Sequence, residues 1–112
     1  MSNENYTRNI YTLIGDENYN EALKLLDNEL HSYPDSTAIY SLMGFCYWQQ
    51  ENYQKACDCY AKLVQLNPNN DNYKLLHSQA LYKNAEYYDA MRVSFGVQNT
   101  EIKSNTTLLQ AA

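Results

Sequence analysis

Apolar residues recur along most of the chain at spacings of three and four, the period of a helix that buries one stripe. Leu23, Leu26 and Leu30 mark one stripe; Ala56, Tyr60, Leu63 and Leu66 mark another. The two-residue alternation of a half-buried strand does not occur. The pattern predicts an all-α chain with helices over 4–15, 18–32, 37–50, 53–66, 71–84 and 87–99. Pro34 and Pro68 follow the second and fourth of these. There a missing N–H and a fixed φ end one helix and aim the next.

The helices pair, and the pairs repeat. With Tyr40 set as position 4 and steps of 34 residues taken both ways, Tyr6 aligns with Tyr40, and Pro34 with Pro68. Tyr19, Tyr53 and Tyr87 fall together at position 17, and Ala22, Ala56 and Ala90 at position 20. Several coincidences at one period are improbable in an unrepeated chain. They predict hairpins at 3–36, 37–70 and 71–104. The alanine belongs where the two helices of a hairpin approach most closely, and the aromatic at position 17 wedges between neighbours.

Tyr40, Met43-Gly44, Tyr47, Tyr53, Ala56, Tyr60 and Pro68 together resemble the tetratricopeptide repeat, a helical hairpin of about 34 residues. The resemblance implies hairpins stacked as an α-solenoid with a right-handed superhelical path. The outer copies are degenerate: Gly44 at position 8 is replaced by Ile10 and Ser78, and position 27 holds Glu29, Leu63 and Val97. Residues 105–112 read as the start of a fourth repeat, with Leu108, Ala111 and Ala112 at positions 4, 7 and 8. A solenoid ordinarily closes on a polar capping helix. Its absence predicts that the chain is the N-terminal fragment of a longer solenoid.

Charge narrows the partners. A net charge of -5 and a pI near 4.8 leave no cluster of Lys and Arg for nucleic acid or an anionic membrane surface. The chain shows no apolar run of membrane-spanning length and no signal-peptide pattern, so a cytosolic location is expected. Cys46, Cys57 and Cys59, odd in number and in helical pattern, suit buried thiols better than a disulfide framework.

Catalytic motifs are missing: no phosphate-cradling glycine loop, no H-E-x-x-H and no G-x-S-x-G occurs. Cys57 and Cys59 sit two apart on a helix and point in different directions, so they cannot share a tetrahedral metal. His31 near a helix end and His77 at position 7 stand alone, as dipole and packing residues. No enzyme, metal or cofactor is expected.

The first helices of such hairpins line the inner groove, through positions 2, 5, 9, 12 and 13. These are Glu4, Thr7, Tyr11, Ile14 and Gly15; Ala38, Ser41, Phe45, Trp48 and Gln49; and Asn72, Leu75, Gln79, Tyr82 and Lys83. Lys83 is the only basic residue of the row, which therefore lacks the clamp that holds a chaperone's C-terminal carboxylate. Exposed aromatics suit an extended ligand rich in proline or aliphatic side chains. Tyr11, Phe45, Trp48, Leu75 and Tyr82 are the expected contacts, with Trp48 foremost because Trp dominates binding hot spots. The same side chains could instead pack against a following repeat.

The segments DENYNEALKLLDNEL at 16–30, Gly44-Phe45-Cys46-Tyr47 and QALYKNAEYYDAMRVSF at 79–95 resemble the N-terminal repeats of the tetratricopeptide-repeat subunit of intraflagellar transport complex B, the Fleer family. That resemblance implies a non-catalytic scaffold wrapping a proline-rich segment of another core subunit. It implies roles in cilium assembly, anterograde transport and polyglutamylation of axonemal tubulin, and a place in the cytoplasm and cilium. A generic cytosolic adaptor or co-chaperone, or the repeat region of a larger enzyme, are the alternatives.

Overall fold

The computed structural model describes the backbone of residues 3–95 and the side chains of 9–94. Within these residues the chain forms six helices and no strand: α1 (Asn3–Gly15), α2 (Tyr19–Ser32), α3 (Thr37–Gln49), α4 (Tyr53–Leu66), α5 (Asp71–Lys83) and α6 (Tyr87–Phe95). The expected ends of the sixth helix at 96–99 and of the third repeat at 104, the fourth repeat at 105–112, and the side chains of Tyr6, Glu4 and Thr7 lie outside the described residues. Packing runs between consecutive helices, as in a solenoid. No helix among the described residues is long and apolar enough to cross a membrane.

Where α1, α3 and α5 end, the chain turns in the same way. Glu17, Glu51 and Ala85, all at position 15, adopt left-handed φ of 61°, 61° and 64°. In each turn two amides return to the helix just left. Asn18 N–H donates to Leu13 C=O at 2.8 Å and Glu17 N–H to Ile14 C=O at 3.0 Å; Asn52 to Tyr47 and Glu51 to Trp48 repeat this, as do Glu86 to Leu81 and Ala85 to Tyr82. This is a Schellman stop built without the usual glycine. It takes Asn18, Gln50 and Asn84 out of the helices expected to include them, leaving them as caps.

The following helices are capped from the side chain. Ser36 Oγ accepts from Ile39 N–H at 3.3 Å, Asn52 Oδ1 from Lys55 N–H at 3.3 Å and Asn70 Oδ1 from Tyr73 N–H at 3.0 Å. Each satisfies one of the free amides of a helix's first turn.

Two core clusters follow the hairpins. Ile10, Ala22, Leu26, Ile39, Met43, Cys46 and Cys59 form one; Ala56, Cys57, Tyr60, Leu63, Ala80, Leu81 and Ala90 form the other. Tyr40 and Tyr47 pack against both and join them. The alanines of position 20, Ala22, Ala56 and Ala90, are buried.

Positions 8 and 24 face each other across a hairpin and trade volume. In the second hairpin Gly44 meets the ring of Tyr60: a Cβ on Gly44 would lie 2.3 Å from Tyr60 Cε1. In the first, Ile10 and Leu26 are buried in one cluster. In the third, Ser78 Oγ donates to Ala90 C=O at 2.9 Å and is hydrogen-bonded to Ser94 Oγ. The serine pair satisfies its polar atoms but supplies less bulk than either of the others.

Candidate functional site

The first helices hold the expected row at their surface. Tyr11 (57% exposed), Phe45 (42%), Leu75 (43%) and Tyr82 (63%) all remain open. Trp48 is half-buried and packs against the second cluster. Its ring stands edge-on to Tyr53, with centroids 5.3 Å apart at 79°. Tyr82 and Tyr87 repeat that pair one hairpin later at 5.1 Å and 65°. Tyr19 reaches instead to the next hairpin, where it meets Phe45 edge-on at 6.4 Å. Lys83 Nζ lies 5.9 Å from the centre of the Tyr53 ring, so Tyr53 is held between its own Trp48 and the following hairpin. Each position-17 tyrosine thus locks a residue of the row, by edge contacts that favour one ring orientation.

Two clefts open along these residues. One of about 900 Å³ has Trp48, Tyr82 and Tyr87 as aromatic walls, Ala90 and Met91 as apolar surface, and Ser78 and Ser94 as a polar lining. A smaller one of about 250 Å³ lies among Phe45, Trp48, Gln49, Tyr60, Leu76 and Gln79. Trp48 and Gln79 border both, so Phe45, Trp48 and Tyr82 line one continuous surface. Tyr11 and Leu75 are exposed but border neither cleft. Met91, Ser78 and Ser94 were not foreseen as lining. Their signal lay in the period: Met91 is the counterpart of Cys57, which is 4% exposed where Met91 is 50%.

Burial favours the neutral forms of three thiols and one histidine nearby. Burial pushes the thiols of Cys46 and Cys57 up to about 11 and that of Cys59 up to about 12. All three are free and buried, hence poor nucleophiles. Burial also lowers the His77 pKa, against smaller opposing effects of Glu86 and Asp89, and its buried Nδ1 has no hydrogen-bond partner among the described residues. His31 Nδ1 lies 2.8 Å from Asp27 C=O, one turn earlier. Among the described residues no group of three or more His, Cys, Asp or Glu side chains could hold a metal ion. The surface offers aromatic and apolar area with a few amides and one ammonium, the equipment of a binding face.

Residues 13–92 match the tetratricopeptide repeat family. The chain belongs to that family. Its tetratricopeptide repeats are similar to intraflagellar transport protein 70A of Xenopus laevis, 41% identical over 107 residues, and to that of Bos taurus, 43% identical over 108. Each match covers 96% of this chain and 16% of the relative, so the chain spans about a sixth of the relatives' length. Intraflagellar transport protein 70B of Rattus norvegicus is 39% identical over 107 residues. The resemblance carried by residues 16–30, 44–47 and 79–95 therefore points to these same relatives. In fold, the chain superimposes on MamA from Desulfovibrio magneticus RS-1 with a TM-score of 0.74 at 22% identity, over 86% of this chain and 54% of that one. Another MamA structure, a double mutant of the RS-1 protein, gives 0.74 at 21% identity over 90% and 56%. These establish the helical-repeat architecture alone.

Proposed function

We propose that this chain is part of a non-catalytic, protein-binding scaffold of the intraflagellar transport B complex, acting in the cytoplasm and the cilium or flagellum. Its open row, Tyr11, Phe45, Trp48, Leu75 and Tyr82, contacts an extended, proline-rich segment of a core subunit. Cilium assembly, anterograde transport and polyglutamylation of axonemal tubulin, at axoneme and basal body, are the processes it serves. The observation that carries this reading is the continuous surface through Phe45, Trp48 and Tyr82. Flat aromatic faces suit pyrrolidine rings, and an extended proline helix arrives with little conformational entropy left to lose. Similarity to the intraflagellar transport proteins 70 over nearly the whole chain supports the choice of assembly.

Trp48 is the sole tryptophan, so the site carries its own reporter. Titration with a synthetic polyproline peptide is expected to change Trp48 emission saturably. Tyr82→Ala is expected to weaken binding about tenfold or more, as a hot-spot truncation does, with far-UV helicity unchanged. Trp48→Ala followed by calorimetry should lose more. Emission that never responds, or affinity indifferent to Tyr82, would refute the assignment of this face.

A further inference from the structure

Where the two helices of each hairpin meet, one side-chain bond recurs between successive hairpins. Gln50, the cap of α3, donates from Nε2 to Asn20 Oδ1 of α2 at 2.6 Å. Asn84, the cap of α5, donates from Nδ2 to Gln54 Oε1 of α4 at 2.9 Å. Donor and acceptor occupy repeat positions 14 and 18 both times, 30 residues apart. Each rung matches one Asn with one Gln, but in opposite order, so the combined reach of the two side chains is the same. A fortuitous surface contact has no reason to recur at one pair of positions or to hold its total length.

The backbone fixes the donors. Each precedes the left-handed residue of a Schellman turn, Glu51 or Ala85, so the cap projects in a set direction. Asn84 Nδ2 also donates to Glu86 Oε2 at 2.9 Å, which holds its rotamer. Tyr19 and Tyr53 stand next in sequence to Asn20 and Gln54, so the rungs lie beside the rings that brace Phe45 and Trp48.

Both rungs are exposed, and an exposed neutral hydrogen bond adds little to stability. Direction is another matter. Apolar contact between helices tolerates a spread of crossing angles, whereas a bond at the rim of the stack fixes one. We propose that Asn20–Gln50 and Gln54–Asn84 are positioning rungs that set the rotation between consecutive hairpins and so the spacing of Phe45, Trp48 and Tyr82. The consequence for a partner rests on the function proposed above; the rotation does not. At the third hairpin position 18 is the exposed Tyr88, where the amide series ends among the described residues.

The test is a distance distribution in the 112-residue chain without any partner. Spin labels go on Lys24→Cys and Arg92→Cys, exposed counterparts at position 22 of α2 and α6. The native thiols are buried and protonated, so labelling falls on the introduced ones. Gln50→Ala/Gln54→Ala is expected to broaden the distribution about 1.5-fold, toward the spread that packing alone allows, with helicity unchanged. Asn20→Gln alone should also broaden it, and adding Gln50→Asn should restore the native width by rebuilding the rung in the order the second one uses. An unaltered width in the alanine variant overturns the proposal. So does a swapped pair no narrower than Asn20→Gln alone, a comparison that holds even if the alanines loosen the helices. Because no ligand is involved, failure here is distinct from failure of the binding assay.

Discussion

Replacing Gly44 with alanine tests how the central hairpin is held together. The added Cβ would lie 2.3, 2.8 and 2.9 Å from Tyr60 Cε1, Cζ and Cδ1. Ordinary carbon contact begins near about 3.5 Å, so the ring must move by roughly 1 Å. Tyr60 is buried among Ala56 and Leu63, both fully enclosed. The free side is the small cleft by Phe45 and Trp48, and swinging there exposes the ring. Overpacking of this kind costs about 1–3 kcal/mol. Against it stands the better helix propensity of alanine, about 1 kcal/mol. The net expectation is a loss of about 1 kcal/mol, read as a fall of roughly 0.5–1 M in the urea midpoint.

The second arm is what makes the test sharp. Tyr60→Leu removes the ring and leaves the residue that the first hairpin uses at position 24. In that background Gly44→Ala should stabilise by about 1 kcal/mol, because only propensity remains. The effect of one methyl group thus changes sign with the residue it faces, and the cycle gives a coupling of about 2 kcal/mol. Should Gly44→Ala stabilise the native chain as much as the Tyr60→Leu chain, the close approach is not real. The glycine would then need another explanation.

Three further expectations follow from the turns and the buried groups. Ala85→Gly should raise stability by about 0.5–1 kcal/mol in thermal unfolding, since glycine takes the φ of 64° without strain and the entropy of its unfolded chain offsets only part of that gain; no change, or a loss, would contradict the left-handed turn. Cys46, Cys57 and Cys59 should resist iodoacetamide at neutral pH and react on addition of urea, because thiols held near 11 to 12 carry almost no thiolate; prompt labelling in the native chain would place one of them at the surface. His77 has a folded pKa below that of the unfolded chain, because burial disfavours its charged form, so the unfolded state binds more protons and stability falls as pH drops through the ordinary histidine value of 6.5. His77→Leu should flatten that slope in urea titrations, and an unchanged slope would assign it to other groups.

The period of the chain made most of the architecture readable. Tyrosine at 17 and alanine at 20 depend on a contact that every hairpin repeats, so they announce themselves in one sequence. The left-handed stops gave no sign, because Glu17, Glu51 and Ala85 are not the glycines that usually mark them. The bulk traded between positions 8 and 24 was half visible: the loss of glycine at Ile10 and Ser78 was plain, but its compensation lies sixteen residues away on the facing helix. Exposure in the groove row was legible for Tyr11, Phe45, Leu75 and Tyr82, and it persists at Phe45 and Tyr82 even with a tyrosine ring edge-on to each. Trp48 was harder, since besides standing edge-on to Tyr53 it packs against the cluster shared with the following hairpin.

The two halves of the aromatic surface differ in what they owe to the hairpins around them. Phe45, Trp48, Leu76 and Gln79 meet between the second and third hairpins, which are already stacked, so the cleft there is complete in itself. Ser78, Ala90, Met91 and Ser94 are counterparts of Gly44, Ala56, Cys57 and Tyr60. In the second hairpin Ala56, Cys57 and Tyr60 are buried in the cluster that α5 completes with Ala80 and Leu81. The larger cleft therefore combines two kinds of surface: a row of rings along the first helices, and a face of the type that one hairpin offers to the next. Substitutions at Tyr82 and at Met91 separate them. A ligand held by the row responds to Tyr82 and ignores Met91, whereas a helix stacked on the hairpin buries Met91 as α5 helps to bury Cys57.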